Sequence, residues 1–290
     1  MQAPRLGVIV ALTTAIIFGA HTPAERAVYA EGGNVALVMI ATTFARAFVL
    51  VLYCLVRGRK LFARREDVIQ AFWGGLCQAI SVFALFCALV YLPAPVVIII
   101  CFTHTLMLLF FMAWRKEVAL DTPTVLVTLS TLAGLVFVLD ITHQDAPGSW
   151  LGIGLAFLSA AMAAARLYLY GHQMKERSPA VVGAENFIFA LLFATLSLAF
   201  MPAPHLPSML GTAWLGVACL ALAFGTFCMF YGISLLGAFR YSLFAKTEPI
   251  FTAFYSLIFL HEVLKPQQYI GIAVVVGSLT LYMLRKEQKT

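Results

Sequence analysis

Residues 244–264 read FAKTEPIFTAFYSLIFLHEVL, an oily stretch of 21 residues that carries Lys246, Glu248 and Pro249 near its middle and closes on Glu262 and Val263. A helix needs about 20 apolar residues to cross a hydrocarbon core roughly 30 Å thick. The stretch has that length, and the segments on either side share its character. Of the 290 residues, 62% are hydrophobic and only 11% charged, with a mean hydropathy of +0.94. Soluble domains carry roughly 25% charged residues, so the chain is predicted to be an all-α integral membrane protein.

Apolar runs between polar punctuation predict about ten transmembrane helices, near residues 5–25, 35–56, 68–90, 93–114, 122–140, 149–171, 180–201, 210–232, 238–260 and 267–284. The first run, LGVIVALTTAIIFGA after Arg5, has the look of a signal peptide. The internal repeat pairs it with a later helix and keeps it in the mature protein. With the N-terminus inside, 14 of the 19 Lys and Arg fall in cytoplasmic segments, among them Arg57, Arg59, Lys60, Arg64, Arg65, Arg115, Lys116, Lys175 and Arg177. Basic residues are retained on that side, so the pI of 9.1 reports topology, with both termini cytoplasmic, and not nucleic-acid binding. The six cysteines lie inside spans without CxxC spacing and read as small buried hydrophobes.

Outward from the opening stretch, a repeat runs at a constant offset of 145. Glu117-Val118 recurs as Glu262-Val263, and Gly7, Ala11 and Ala15 recur as Gly152, Ala156 and Ala160; Phe44 corresponds to Phe189 and Phe86 to Tyr231. The chain divides into a first five-helix repeat, 1–145, and a second, 146–290. Five spans per repeat is odd, so the second enters the membrane from the opposite side. Inverted repeats characteristically hold a binding site near the midplane between the halves.

The segments YGISLLGA (231–238), TEPIFTA (247–253) and HEVLKPQQYIGIAVVVG (261–277) together resemble the EamA-type ten-helix branch of the drug/metabolite transporter superfamily. That pattern has a Pro within the ninth helix, a Glu closing it, a Gln before the tenth and glycines along it; Pro249, Glu262, Gln267 or Gln268, Gly271 and Gly277 fit. In the first half ALVYLPAPVV, the closing RKEV and Arg46 in FARAF fit as well. His104 stands where the fourth helix of such proteins often has Pro, and Val127 near an expected glycine. The resemblance implies a transporter with a central cavity built mainly from helices one, three, four, six, eight and nine, and implies no substrate.

An ionised residue at the centre of a span costs about 2.5–3.5 kcal/mol on insertion scales, so it normally faces a partner or a watery cavity. Lys246 and Glu248 are two apart, roughly 200° around a helix, and must face different surroundings. Glu248 is expected to meet a neighbouring helix or the cavity, where an Arg, a His or a substrate ammonium joins it, or to cap freed backbone groups. Pro249 removes a donor and collides with the carbonyl of Ala245, predicting a kink. Arg46 reads as a structural tie. Arg166 stands 145 after His21, which lies in FGAHTPAER with the helix-interrupting Pro23; there Glu25 and Arg26 read as exposed at the outer interface. His21 and His104 have an unperturbed pKa near 6.5, suited to a proton gradient. Tyr91, Tyr168, Tyr231 and Tyr241 could stack on a planar substrate, while Glu117 and Glu262 close equivalent helices.

These residues predict a secondary transporter moving a small organic metabolite across a bacterial inner (cytoplasmic) membrane by alternating access. An amino acid or similar zwitterion fits best, with Arg166 or Lys246 on its carboxylate and Glu248 or a neutral His on its amine. Export of cationic drug-like solutes, or carriage of a vitamin or nucleotide-like metabolite, are the alternatives. An intramembrane enzyme is disfavoured: HExxH, GxSxG and paired carboxylates are absent, so no catalytic residue, metal or cofactor is assigned, and His143 with Asp140 and Asp145 reads as an exposed loop. A channel is the remaining class. Expected partners are the substrate, the bilayer, and protons or a counter-substrate, with no nucleic acid, in a monomer or homodimer.

Overall fold

The chain is described by a computed structural model covering residues 2–140, 149–259 and 265–287, and every regular element among them is helical. The first half holds α1 (Gln2–Gly19), α2 (His21–Ala30), α3 (Val35–Val56), α4 (Arg65–Tyr91), α5 (Ala94–Phe102), α6 (His104–Trp114) and α7 (Thr122–Val138). The second holds α8 (Trp150–Gln173), α9 (Pro179–Ser197), α10 (Met209–Leu236), α11 (Ala238–Phe244), α12 (Glu248–Phe259) and α13 (Pro266–Glu287). Single-residue breaks join α1 to α2 and α5 to α6, and a 3-10 turn, Ala245–Thr247, joins α11 to α12. Counting each joined pair as one rod, the 13 α-helices make ten rods, in the positions of the predicted spans.

Seven of these rods are long and apolar enough to cross a membrane by themselves. The 17-residue α7 is shorter, and the rod from α11 to α12 carries Arg240, Lys246 and Glu248. Helix starts are marked by polar caps: the side chains of Asn34, Ser149 and Ser208 accept from the amides of Leu37, Gly152 and Gly211, meeting donors a helix leaves open. Gly237, with φ of 78°, ends α10 and turns the chain into α11.

Helices cannot be driven together in lipid by hydrophobic burial alone; small residues that let backbones approach supply the packing. Ala11, Ala15, Ala156 and Ala160, which mark the repeat, are all fully buried. α1 packs on α10 and α4 on α8, while α3 packs on α9 and α7 on α13. Shifting residue numbers by 145 exchanges the first two pairs and returns the last two to themselves. The correspondence reaches side chains: a Cβ on Gly7 would meet Leu236 at 2.7 Å, and one on Gly152 would meet Tyr91 at 2.7 Å, and 236 lies 145 after 91. Ser81 and Ser159 exchange hydroxyl-to-carbonyl bonds of 3.0 and 2.8 Å between α4 and α8; their counterparts, Thr226 and Thr14, are buried on α10 and α1.

The two ends of α3 carry different locks. At its start Asn34 bonds the carbonyl of Ala203 at 2.7 Å and the amide of His205 at 3.1 Å, and Ser208 donates to Glu31. Beyond its other end the amide of Phe62 donates to Glu185 at 2.6 Å, and Arg177 bridges Glu185 and Asp67.

Candidate functional site: a polar interior between broken helices

Three breaks converge on the interior. The first lies at Ala20, whose amide reaches only to Ile17, 3.3 Å away. Gly19 precedes it because there is no room for more: a Cβ there would lie 2.6 Å from Phe251 Cβ and 3.0 Å from its backbone on α12. At the second break the Thr103 hydroxyl bonds the carbonyl of Ile100 at 2.6 Å; at the third, Thr247 bonds that of Phe244 at 2.9 Å. Hydroxyls so placed meet backbone groups that a broken helix in a membrane would otherwise strand. Pro249 falls in the first turn of α12, where its missing amide costs nothing. The predicted interruption at Pro249 is therefore a clean restart after a 3-10 turn, and His104, 145 residues earlier, starts α6 in the same way with no proline.

Lys246 and Glu248 part as their spacing requires. Lys246 is only 2% exposed; its Nζ lies 3.1 Å from His104 Nε2 and 4.1 Å from the centre of the Phe102 ring. His104 Nδ1 is 2.8 Å from the carbonyl of Cys101, which can only accept. That contact assigns the proton to Nδ1 and leaves Nε2 to accept from Lys246. Glu248 instead meets His21, with Oε1 3.5 Å from Nε2, while His21 Nδ1 lies 3.3 Å from Glu25. Glu25 is thus drawn into the interior, against the expectation of simple exposure, and its i,i+4 spacing from His21 was the available signal.

Glu248 and Arg26 both line a cavity of about 300 Å³, with Thr22, Thr252, Ser256 and Gln268 as further polar groups and Pro95, Ile98 and Phe102 on its apolar wall. It lies where α2, α5, α7, α12 and α13 approach, so helices five and ten border it in place of three, six and eight. Arg26, read from the sequence as exposed at the outer interface, is exposed and also lines this cavity, while Thr252 and Ser256 are lining residues that the sequence did not single out. Arg166 and Arg46 stand outside its lining, both half-buried, and within electrostatic range of each other. Arg46 stands over Phe187, its guanidinium carbon 5.7 Å from the ring centre.

The other expected residues stand outside the cavity lining. Tyr91 packs against Gly152, and Tyr231 stacks obliquely on Phe227 with centroids 5.0 Å apart. Tyr168 donates to Glu117 at 2.9 Å, and His172 lies 3.5 Å from the same carboxylate, so Glu117 ties the end of α6 to α8. Pro23 is buried in α2, and Tyr241 is buried against Gly232. Asp140 receives Gln267 at 2.6 Å and Lys265, joining α7 to the start of α13. Glu262, His143 and Asp145 fall outside the described residues. The fully buried Glu185, an acid within the apolar run of the seventh helix, went unremarked in the sequence. Among the described residues no group of His, Cys, Asp and Glu is arranged to hold a metal.

Residues 150–284 match the model of the EamA-like transporter family. The match covers just under half of the chain and falls entirely in its second part. A solved crystal structure, described simply as that of a protein, is similar to this chain with a TM-score of 0.79 and 19% identity, over 96% of this chain and 98% of its own; at that identity the likeness is one of fold. No curated protein matches the sequence. The seven long apolar helices, together with the match of 150–284 to a transporter family, make this a multi-pass membrane protein.

Proposed function

We propose that this EamA-like protein is a secondary transporter of an amino acid or similar zwitterion, working by alternating access of two inverted halves, 1–145 and 146–290, with both termini on the cytoplasmic side of a bacterial inner membrane. The observation that carries the substrate class is the cavity in which Glu248 and Arg26 stand among hydroxyls and an apolar wall. A space of about 300 Å³ is at the small end for a ligand pocket and suits a metabolite of amino-acid size. Glu248 receives the ammonium, Arg26 the carboxylate, and the wall from Pro95 to Phe102 an apolar side chain. Lys246, turned to His104, takes no part in that pose.

Discontinuous helices at the middle of a membrane typify transporter binding sites, and the breaks at Ala20, Thr103 and Ala245–Thr247 support the mechanism. So do the helix pairings, which the 145-residue shift leaves unchanged. The test is counterflow in liposomes preloaded with single unlabelled amino acids. Saturable accumulation of labelled leucine or a related amino acid is the expected result, weakened about tenfold or more in Glu248→Gln, since a hydrogen bond to a charged group contributes about 1.5–3 kcal/mol. Conductance without saturation would mark a channel instead.

A further inference from the structure

His21 stands where three helices meet: it opens α2, its ring lies edge-on to Phe18 of α1 with centroids 6.3 Å apart, and it faces Glu248 of α12. Each ring nitrogen has a carboxylate in front of it. Nε2 is 3.5 Å from Glu248 Oε1 and Nδ1 is 3.3 Å from Glu25 Oε1; Nδ1 is shut off from solvent and, among the described residues, has no hydrogen bond to meet it. An ionised carboxylate only accepts, and a neutral imidazole carries one N–H and one lone pair. Neutral His21 would set its lone pair against one of the two anions, whereas imidazolium answers both. His104 is the opposite case: the carbonyl of Cys101 takes its Nδ1–H and the Lys246 ammonium occupies Nε2 at 3.1 Å, which leaves no place for a second proton. Of the two histidines whose chemistry suits a proton gradient, the geometry selects His21. The elements packed on α2 and α12 bring further titratable groups to the set: Tyr29, Arg46 of α3 and Cys219 of α10 around Glu25, and Tyr241 of α11 and Lys246 around Glu248.

Glu248 is also the acid of the cavity, so one carboxylate serves the imidazolium and any ammonium bound there. We propose that His21 is the proton site of this transporter, and that an ammonium group settling on Glu248 from the cavity displaces the His21 proton, one for one. The N–H bond at Nε2 breaks and its proton passes to water. Neutral His21 keeps Nδ1–H toward Glu25, and the freed Nε2 lone pair accepts from the ammonium, which bridges it to Glu248. The set carries one net negative charge before the exchange, as imidazolium and two carboxylates, and one after it, as two carboxylates and the bound ammonium. Proton and substrate then exclude each other, which is the condition for antiport. The inference deepens the reading of Glu248 as the ammonium site and rests on it, without needing the contact of Arg26 with a carboxylate.

The experiment titrates the purified full chain, in detergent and weak buffer with a pH-indicating dye, with methylammonium chloride and with leucine, against sodium chloride as the blank. Methylammonium is expected to release about one proton per chain at saturation, and its apparent affinity to fall about tenfold for each unit by which the pH is lowered. In His21→Gln binding persists, followed by the thermal midpoint, while proton release and the pH dependence both vanish; a merely structural histidine would move neither. Wild type that fails to bind methylammonium, or binds it without releasing protons, overturns the proposal, as does His21→Gln releasing as many protons as wild type. Should the variant not fold, nitrogen-15 spectra of histidine-labelled wild type decide: an imidazolium present at neutral pH must turn into neutral imidazole as methylammonium is added, and no such conversion is the contrary result. Leucine releasing the proton as methylammonium does supports the exchange and the zwitterion reading together. Methylammonium active and leucine silent removes the zwitterion reading and leaves the His21 exchange standing.

Discussion

Residue by residue, the interior pairs basic and acidic groups with histidines. Among the described residues Lys246 meets no carboxylate at bonding distance; its ammonium donates to His104 and lies on the face of Phe102. Removing one partner of a buried charge is far more damaging than replacing both, because the survivor is left without compensation. His104→Phe is therefore expected to destabilise the protein by about 3–5 kcal/mol, and the double variant His104→Phe with Lys246→Met by clearly less. A double-mutant cycle on thermal midpoints in detergent checks this, and additive losses would deny the coupling. That Lys246 and Glu248 must diverge was legible from their two-residue spacing. That both would find histidines was not, because His104 lies 142 residues from Lys246 and only the fold brings them together. Arg26 was read as exposed at the outer interface, and exposed it is; that it also lines the cavity was not legible, because its cavity neighbours on α5, α7, α12 and α13 lie far away in the sequence.

For the helices, the spans were legible because the length of an apolar run is set by the bilayer, and the break at Pro249 because proline announces it. The matching break at Thr103 carries no proline and was visible only through the 145-residue correspondence of His104 with Pro249. Since α6 restarts at His104 unaided, and Pro249 occupies a first-turn position, Pro249→Ala should leave the break in place. Leucine counterflow in that variant is expected within roughly twofold of wild type; its loss would make the proline itself part of the moving machinery. Close packing gives a second test. A Cβ on Gly75 would lie 2.8 Å from the backbone nitrogen of Ala190 and 2.8 Å from the carbonyl oxygen of Asn186, whereas one on Gly216 would meet nothing within 4 Å. Gly75→Ala should cost about 1–3 kcal/mol through overpacking, and Gly216→Ala should stabilise by up to about 1 kcal/mol from helix propensity. Thermal midpoints of the two variants moving in the same direction would contradict that packing.

On the scale of the molecule, the halves are joined at both ends of α3. Glu31, Asn34, His205 and Ser208 form one lock and Phe62, Asp67, Arg177 and Glu185 the other. The loops that form the first lock, 31–34 and 201–208, correspond by the 145-residue shift to 176–179 and 56–63, the loops of the second. Composition made the helical membrane class legible, and the 145-residue offset pointed to the helix pairings that the fold shows. The locks were not, because buried Glu185 sits in an apolar helix and its partners lie on other helices and loops, 123 residues away in the case of Phe62. Inversion of the halves requires that positions related by the shift lie on opposite faces of the bilayer. The measurement that tests this most directly is impermeant thiol labelling of single cysteines placed at Gly58 and at Ala203, which is 145 residues later, in a chain freed of its native cysteines. Cysteine 58 reacting only from the cytoplasmic side and cysteine 203 only from the other is the expected result; both reacting from the same side would contradict the inverted pair.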